Sequence, residues 1–432
     1  MQQGFKLTTT TSRVKLAATL LLTALTLLLV SGAAPAGVVL DRAGAQEGVP
    51  GQAAEAPADE IPGEVPEPPE TGVVSWAIMD ADSGEFLVGQ EPDEQLPIGS
   101  VTKIMAALVV MQEGTNLDEE VPISGEAESY VGGVFSNVGL IAEERVTVRD
   151  LLVASLVASG TEAVYALAEH VGGGSVEQFV GMMNEEASRL GLENTNFDTP
   201  AGLDTEDNYS SARDLAILSR AMLQEPLLAE IVDTPEATIS TQNRQIEITN
   251  TNQLLNTYPP ATGIKTGTTP EAGANLAASA ESNDESFIAI VIGAEDSDQR
   301  FLAAESLLEY AFERYERRPL VNQDEVYGEA PLPYRPNEAV QLAATGEVAG
   351  LVDADSDVER RVTPLEELPP SASAGDELGE VEVLVNGRRV GESPLVAQEG
   401  YEEASLWQKT RSTVGGLLES AQGAISSLTS GE

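Results

Sequence analysis

The chain has 432 residues, enough for two or three domains with cores of their own. Its 71 acidic residues against 23 basic ones give a net charge of −48, which argues against nucleic acid and against a polybasic membrane patch. There is no Cys, so disulfide and thiolate chemistry are excluded, and the one histidine, His170, sits in an Ala/Leu-rich stretch that reads as ordinary helix.

In chain order, Lys6, Arg13 and Lys15 precede the apolar run 16–30, and Ala34-Pro35-Ala36 follows as an Ala-x-Ala cleavage site. Residues 1–36 therefore read as an export signal, making the chain extracytoplasmic. Left uncut, the charge-free stretch 16–40 is long enough to span a bilayer. Residues 37–71, acidic and rich in Pro, Glu and Ala, read as a disordered linker. A hairpin follows, with strands at 73–79 and 85–88 around Asp82-Ser83-Gly84. Helices are predicted over 147–159, 162–171, 176–190 (opened by a capping box at Ser175) and 212–223. Strands are predicted over 264–268, 274–280 and 287–292. A helix over 300–314 would then turn Leu302, Leu307, Leu308 and Phe312 inward.

Strands at both ends of a helical middle predict an α+β domain over 72–318 with an antiparallel sheet. Past Pro319 the pattern is all-β, with short strands at 339–343, 348–352 and 381–385 and a hairpin turn at Asn386-Gly387, giving a small β-sandwich-like domain over 319–400. Residues 401–432 end in a helix carrying Val414, Leu417, Leu418, Ala421, Ile425 and Leu428 on one stripe, with Trp407 at its start.

The chemistry concentrates in three stretches. Ser100 and Lys103 stand three residues apart where the apolar helix 104–111 begins. A hydroxyl and an amine so placed share one helix face, and free backbone N–H groups lie close to the hydroxyl. Taken alone, the pair also fits an N-capping serine beside a surface lysine. The composition favours chemistry: the chain has five lysines against eighteen arginines, and only lysine can give up its proton. Ser159-Gly160-Thr161 places a second serine between two helices, where Gly160 permits a sharp turn. Gly263 to Thr269 sets Lys265, Thr266, Gly267, Thr268 and Thr269 on a strand, and Gly267 leaves room for a ligand backbone to lie against it.

Ser-x-x-Lys, Ser-Gly-Thr and Lys-Thr-Gly in that order form the serial pattern of penicillin-recognising serine acyltransferases. With the flanking stretches 97–105, 179–184, 190–197, 201–204, 211–214 and 250–255, the chain resembles the D-alanyl-D-alanine carboxypeptidases, low-molecular-mass penicillin-binding proteins of peptidase family S11. The resemblance runs over 73–318 and continues into the β domain. It implies a penicillin-binding-protein/β-lactamase-like transpeptidase fold and no metal or cofactor. Its implied substrate is a peptidoglycan stem peptide, with β-lactams as ligands.

The resemblance also implies roles. Ser100 is the nucleophile, Lys103 the general base and Ser159 the proton relay. Lys265 is the carboxylate anchor, and the Ser100 and Thr268 N–H groups form the oxyanion hole. Thr161, Thr266, Gly267 and Thr269 contact substrate. The C-terminal helix would lie on the outer membrane face. Two positions depart from the family pattern: Thr161 replaces an Asn, and Thr251 an Arg that some members carry. Two alternatives stand beside a carboxypeptidase: a catalytically weak relative that binds wall peptide as scaffold or sensor, and a β-lactamase.

Overall fold

The computed structural model describes residues 67–335 and 337–412. The expected leader and most of the linker lie outside the described residues, as does the stripe from Val414 to Leu428.

Two strands open the chain, β1 (Ser75–Asp80) and β2 (Phe86–Gln90). Three more come from its far end: β7 (Ala261–Thr269), β8 (Gly273–Ser282) and β9 (Glu285–Ala294). They form one antiparallel sheet in the order β2-β1-β9-β8-β7, which leaves β7 at an edge. Ala77 pairs with Ile290, and Thr266 with Leu276. Both faces are covered, and the strands separate their side chains with period two. Ala77, Met79, Ile288, Ile290 and Ile292 belong to one core cluster, while Trp76, Ile78, Phe287, Ala289 and Val291 belong to the other. Burial on both sides explains why these strands read as unbroken apolar runs rather than alternating ones.

All but the last of the helices between β2 and β7 pack on the first core; Leu254, in the last, belongs to the second. These helices are α1 (Lys103–Gln112), the short α2 (Gly125–Glu128), α3 (Val148–Val157), α4 (Thr161–Val171), α5 (Val176–Leu190), α6 (Ala212–Leu223), α7 (Pro226–Val232) and α8 (Leu254–Thr257). All seven residues from Ile104 to Val110 are buried, so α1 is the central helix. Local capping sets several starts: Thr147, Ser175 and Ser211 each accept a backbone N–H three residues on, and Gly191 ends α5 at φ 74°. Two ribbons, β3 (Glu120–Pro122) with β4 (Arg145–Thr147) and β5 (Glu236–Ser240) with β6 (Gln245–Thr249), flank the helices.

On the other face lies α9 (Ser297–Arg314). Its buried apolar stripe runs through Phe301, Ala304, Leu307, Leu308 and Ala311, spaced three or four apart along the helix. The expected inward Leu302 is instead 65% exposed, because it falls about one residue off that stripe.

The chain then runs directly into β10 (Glu316–Val321), which pairs with β13 (Val348–Val352). Beside that ribbon, a five-stranded sheet joins β11 (Val326–Pro331), β12 (Ala339–Ala344), β16 (Arg388–Ala397), β15 (Glu377–Val385) and β14 (Val358–Pro364) in that order. Leu320, Leu342, Val381, Val383 and Leu395 centre its core. Asn386 and Gly387 both have positive φ, as the hairpin turn requires. A charged seam joins the C-terminal ribbon and sheet to the β1–β2 end of the first sheet: Arg317 of β10 meets Asp80 at 3.0 Å and Asp82 at 3.1 Å, and Arg388 of β16 meets Glu85 at 3.3 Å. Among the described residues, no helix is long and apolar enough to cross a membrane.

Candidate active site

Ser100 lies not in the α-helix itself but in a 3-10 turn, Gly99–Thr102, that leads into α1. Gly99 takes φ 55°, which breaks the chain away from the preceding strand-like segment. The turn is wedged between two neighbours. A Cβ at Gly202 would stand 1.8 Å from the Gly99 carbonyl, and a Cβ at Gly267 would stand 2.3 Å from the Ile98 carbonyl. The sequence suggested that Gly267 makes room for a ligand; its close neighbour in the structure is the chain's own Ser100 turn.

Lys103, in the first turn of α1, is 0% exposed. Its Nζ lies 2.7 Å from Ser100 Oγ, 3.5 Å from Ser159 Oγ and 3.5 Å from the Ala201 carbonyl. Ser159 occupies the α3–α4 corner at φ 60°, a left-handed conformation uncommon for serine, and the Gly160 N–H closes that corner on the Ala154 carbonyl. Thr161 opens α4, buried, with its N–H given to the Ser136 carbonyl. Across from them, β7 carries Lys265, 1% exposed, with Nζ 3.0 Å from the Thr266 carbonyl. The Thr266 hydroxyl pairs with that of Thr251 at 2.7 Å. Thr269 Oγ1 accepts the Ala272 N–H, and Thr268 is exposed. A Cβ at Gly99 would lie 3.1 Å from the Thr268 nitrogen, so the Ser100 turn and the Thr268 amide share one corner. The nine site residues expected from the sequence thus lie on the Ser100 turn and the first residue of α1, the α3–α4 corner and β7.

Burial lowers Lys103 to about 7, and Glu162 acts against that shift. Lys265 is pushed well below the ordinary lysine range, first by burial and then by the positive charges of Lys103 and Arg300. For both lysines, loss of water is the leading cause. An ammonium with essentially no exposed surface pays that desolvation whatever its neighbour carries.

A family profile described as D-alanyl-D-alanine carboxypeptidase matches residues 63–296. The D-alanyl-D-alanine carboxypeptidase DacF of Bacillus subtilis is 31% identical over 79% of this chain and 89% of its own. The chain belongs to the D-alanyl-D-alanine carboxypeptidase family. DacC of Escherichia coli, also 31% identical, covers 79% of this chain and 87% of its own. Penicillin binding protein 5 from Haemophilus influenzae superposes with a TM-score of 0.61 at 29% identity, over 78% of this chain and 99% of that one. The Streptomyces K15 DD-transpeptidase gives 0.55 at 35% identity, over 57% of this chain and 99% of that one. The fold is that of these penicillin-binding D,D-peptidases and includes a C-terminal all-β sheet region.

Within this family member, sequence reasoning missed two groups. Arg300, in the first turn of α9 and 6% exposed, donates to Thr268 Oγ1 at 2.8 Å and to the Gly267 carbonyl at 3.2 Å. Its Nε is buried without a hydrogen-bond partner, and burial lowers its pKa to about 10. The only signal for it was an arginine at the start of an amphipathic helix. The second is Glu162, adjacent in sequence to Thr161, fully buried and within electrostatic reach of Lys103. His170 stands at the opposite end of α4 from Thr161, 3.8 Å from Glu119.

Proposed function

We propose that this chain is a serine-type D-alanyl-D-alanine carboxypeptidase that trims peptidoglycan stem peptides through an acyl-enzyme on Ser100. The observation that carries the reading is the buried Lys103 amine, 2.7 Å from Ser100 Oγ and 3.5 Å from Ser159 Oγ. An amine whose pKa is lowered to about 7 has a substantial free-base fraction at neutral pH and is matched to general-base work.

Ser100 Oγ attacks the carbonyl of the penultimate D-Ala as its proton passes to Lys103. The oxyanion is held by the Ser100 and Thr268 N–H groups. The C–N bond then breaks, and the leaving amine receives a proton through Ser159, so that D-Ala departs. Water attacks the resulting ester with Lys103 again as base, which frees Ser100 and the shortened peptide. The substrate carboxylate lies along β7, where Lys265 and Arg300 supply positive charge and Thr266, Thr268 and Thr269 supply hydroxyls. The free edge of β7 suits an extended peptide added as a further strand. Thr161, one hydroxyl where the family pattern has a carboxamide, contacts the substrate backbone less extensively.

The leader over 1–36 places this activity outside the cytoplasm, in cell-wall and cell-shape maintenance. Leu406 and Trp407, 84% and 68% exposed at the start of the C-terminal helix, support peripheral membrane contact there.

Intact-protein mass after mixing with benzylpenicillin, beside Ser100→Ala, tests the reading. We expect a one-drug mass gain on the parent that persists for minutes and is absent from the variant, together with D-Ala release from a pentapeptide. No adduct on the parent would overturn the acylation mechanism and favour a wall-binding relative. A rapidly cleared adduct would indicate a β-lactamase.

A further inference from the structure

Glu162 has no part in the steps above, yet it is fully buried in the first turn of α4. Its Oε1 accepts three consecutive backbone N–H groups, from Val138 at 2.7 Å, Gly139 at 2.9 Å and Leu140 at 3.3 Å. Such a concavity of amides, with Gly139 at φ 77°, is an anion-binding nest filled here by the chain's own carboxylate. Together with the Thr161 N–H to Ser136 bond, it hangs residues 136–140 from the turn that follows Ser159.

The second carboxylate oxygen, Oε2, is buried without a hydrogen-bond partner. A carboxylate that served only to hold the loop would need one oxygen. Leaving the other dry is costly unless its charge is balanced nearby. The balancing charges are at hand. Lys103 on α1 feels Glu162 as its charged neighbour, and Lys265 on β7 feels Lys103 and, from α9, Arg300. Ser100 on the 3-10 turn and Ser159 at the corner complete the groups around the Lys103 amine, and both are neutral. Glu162 is thus a buried anion acting on Lys103, beyond which lie two more buried basic groups, Lys265 and Arg300.

We propose that Glu162 is a positioning residue for the Ser100 reaction, tying the 138–140 backbone to the α4 turn with one oxygen and setting the basicity of Lys103 with its charge. This rests on the Ser100–Lys103 assignment above. Removing the negative charge disfavours the ammonium form of Lys103, so free base persists to lower pH and is weaker when present.

The test is the pH profile of the benzylpenicillin acylation rate for the full chain, Glu162→Gln and Glu162→Asp. In E162Q the acid limb moves about one pH unit lower, and the plateau falls by only about threefold. In E162D the charge remains, so the acid limb stays near the parent's; the shorter arm loosens the loop, and amides 138–140 exchange hydrogen faster. A merely structural role would lower the plateau and leave the limb of E162Q coincident with that of the parent, and this result overturns the proposal. Unchanged exchange at 138–140 in E162D overturns the loop half. A parent that does not acylate at any pH overturns the Ser100 reading itself, which separates the two failures.

Discussion

Lys103 carries a cost to the fold that its proposed role as general base explains. Its folded-state pKa, lowered to about 7 by burial, lies below its unfolded value. The unfolded chain therefore binds more protons between those two values, and stability rises with pH across that window. Below about pH 7 both states are protonated, and the penalty is fully present. A Lys103→Met chain has no such linkage. Calorimetric Tm values should show its advantage over the parent growing by about 2 °C or more as pH falls from about 9 to about 6. An advantage independent of pH would mean that Lys103 titrates normally. The candidate lysines were legible in the sequence because the chain otherwise uses arginine. Glu162 and Arg300 were not legible, since acidic residues and arginines are common here and only burial distinguishes these two. Nor was the cause of the lowered Lys103 basicity, which is loss of water on burial.

At the scale of elements, the site is an assembly of short turns held together by close backbone approach. The segment after Pro200 presses on the Ser100 turn, with a Gly202 Cβ position 1.8 Å from the Gly99 carbonyl and φ 75° at Gly202 itself. Gly202→Ala must push the two backbones apart. We expect a loss of about 2–4 kcal/mol in urea unfolding and at least about a tenfold slower acylation, because the Ser100–Lys103 geometry moves with the turn. An alanine chain of parental stability and rate would show that the segment yields without cost. Most helices were readable from apolar spacing and their caps, with α5 and α6 matching the expected bounds at both ends. Strand ends were less so: β7, β8 and β9 all extend past the apolar runs that announced them, since ladder hydrogen bonds continue where side chains turn polar. Leu302 marks the other limit, because apolar identity alone does not fix which residue of a helix faces inward.

For the whole molecule, the seam between the two sheets is ionic. Asp80 is 1% exposed and meets Arg317, while Ser83 Oγ donates to its other oxygen at 2.6 Å. Arg317→Leu leaves that carboxylate without its cation. We expect a loss of about 1–3 kcal/mol by urea unfolding with the penicillin acylation rate unchanged, and an unmoved urea midpoint would show that Ser83 and the turn amides suffice. The α+β organisation and the all-β C-terminal region were visible from the change of periodicity near Pro319, but the seam was not, since its partners lie far apart in sequence. The strand order β2-β1-β9-β8-β7 has a consequence in time as well as in space. Strand β1 must wait for β9, and the Ser100 turn must wait for β7 to close beside it. A chain emerging from its N-terminus carries Ser100 through a further 265 − 100 = 165 residues before Lys265 is made to face it. Contacts this distant in sequence slow folding, and they make the candidate site all-or-none: a fragment that stops short of Lys265 holds only two of its three walls.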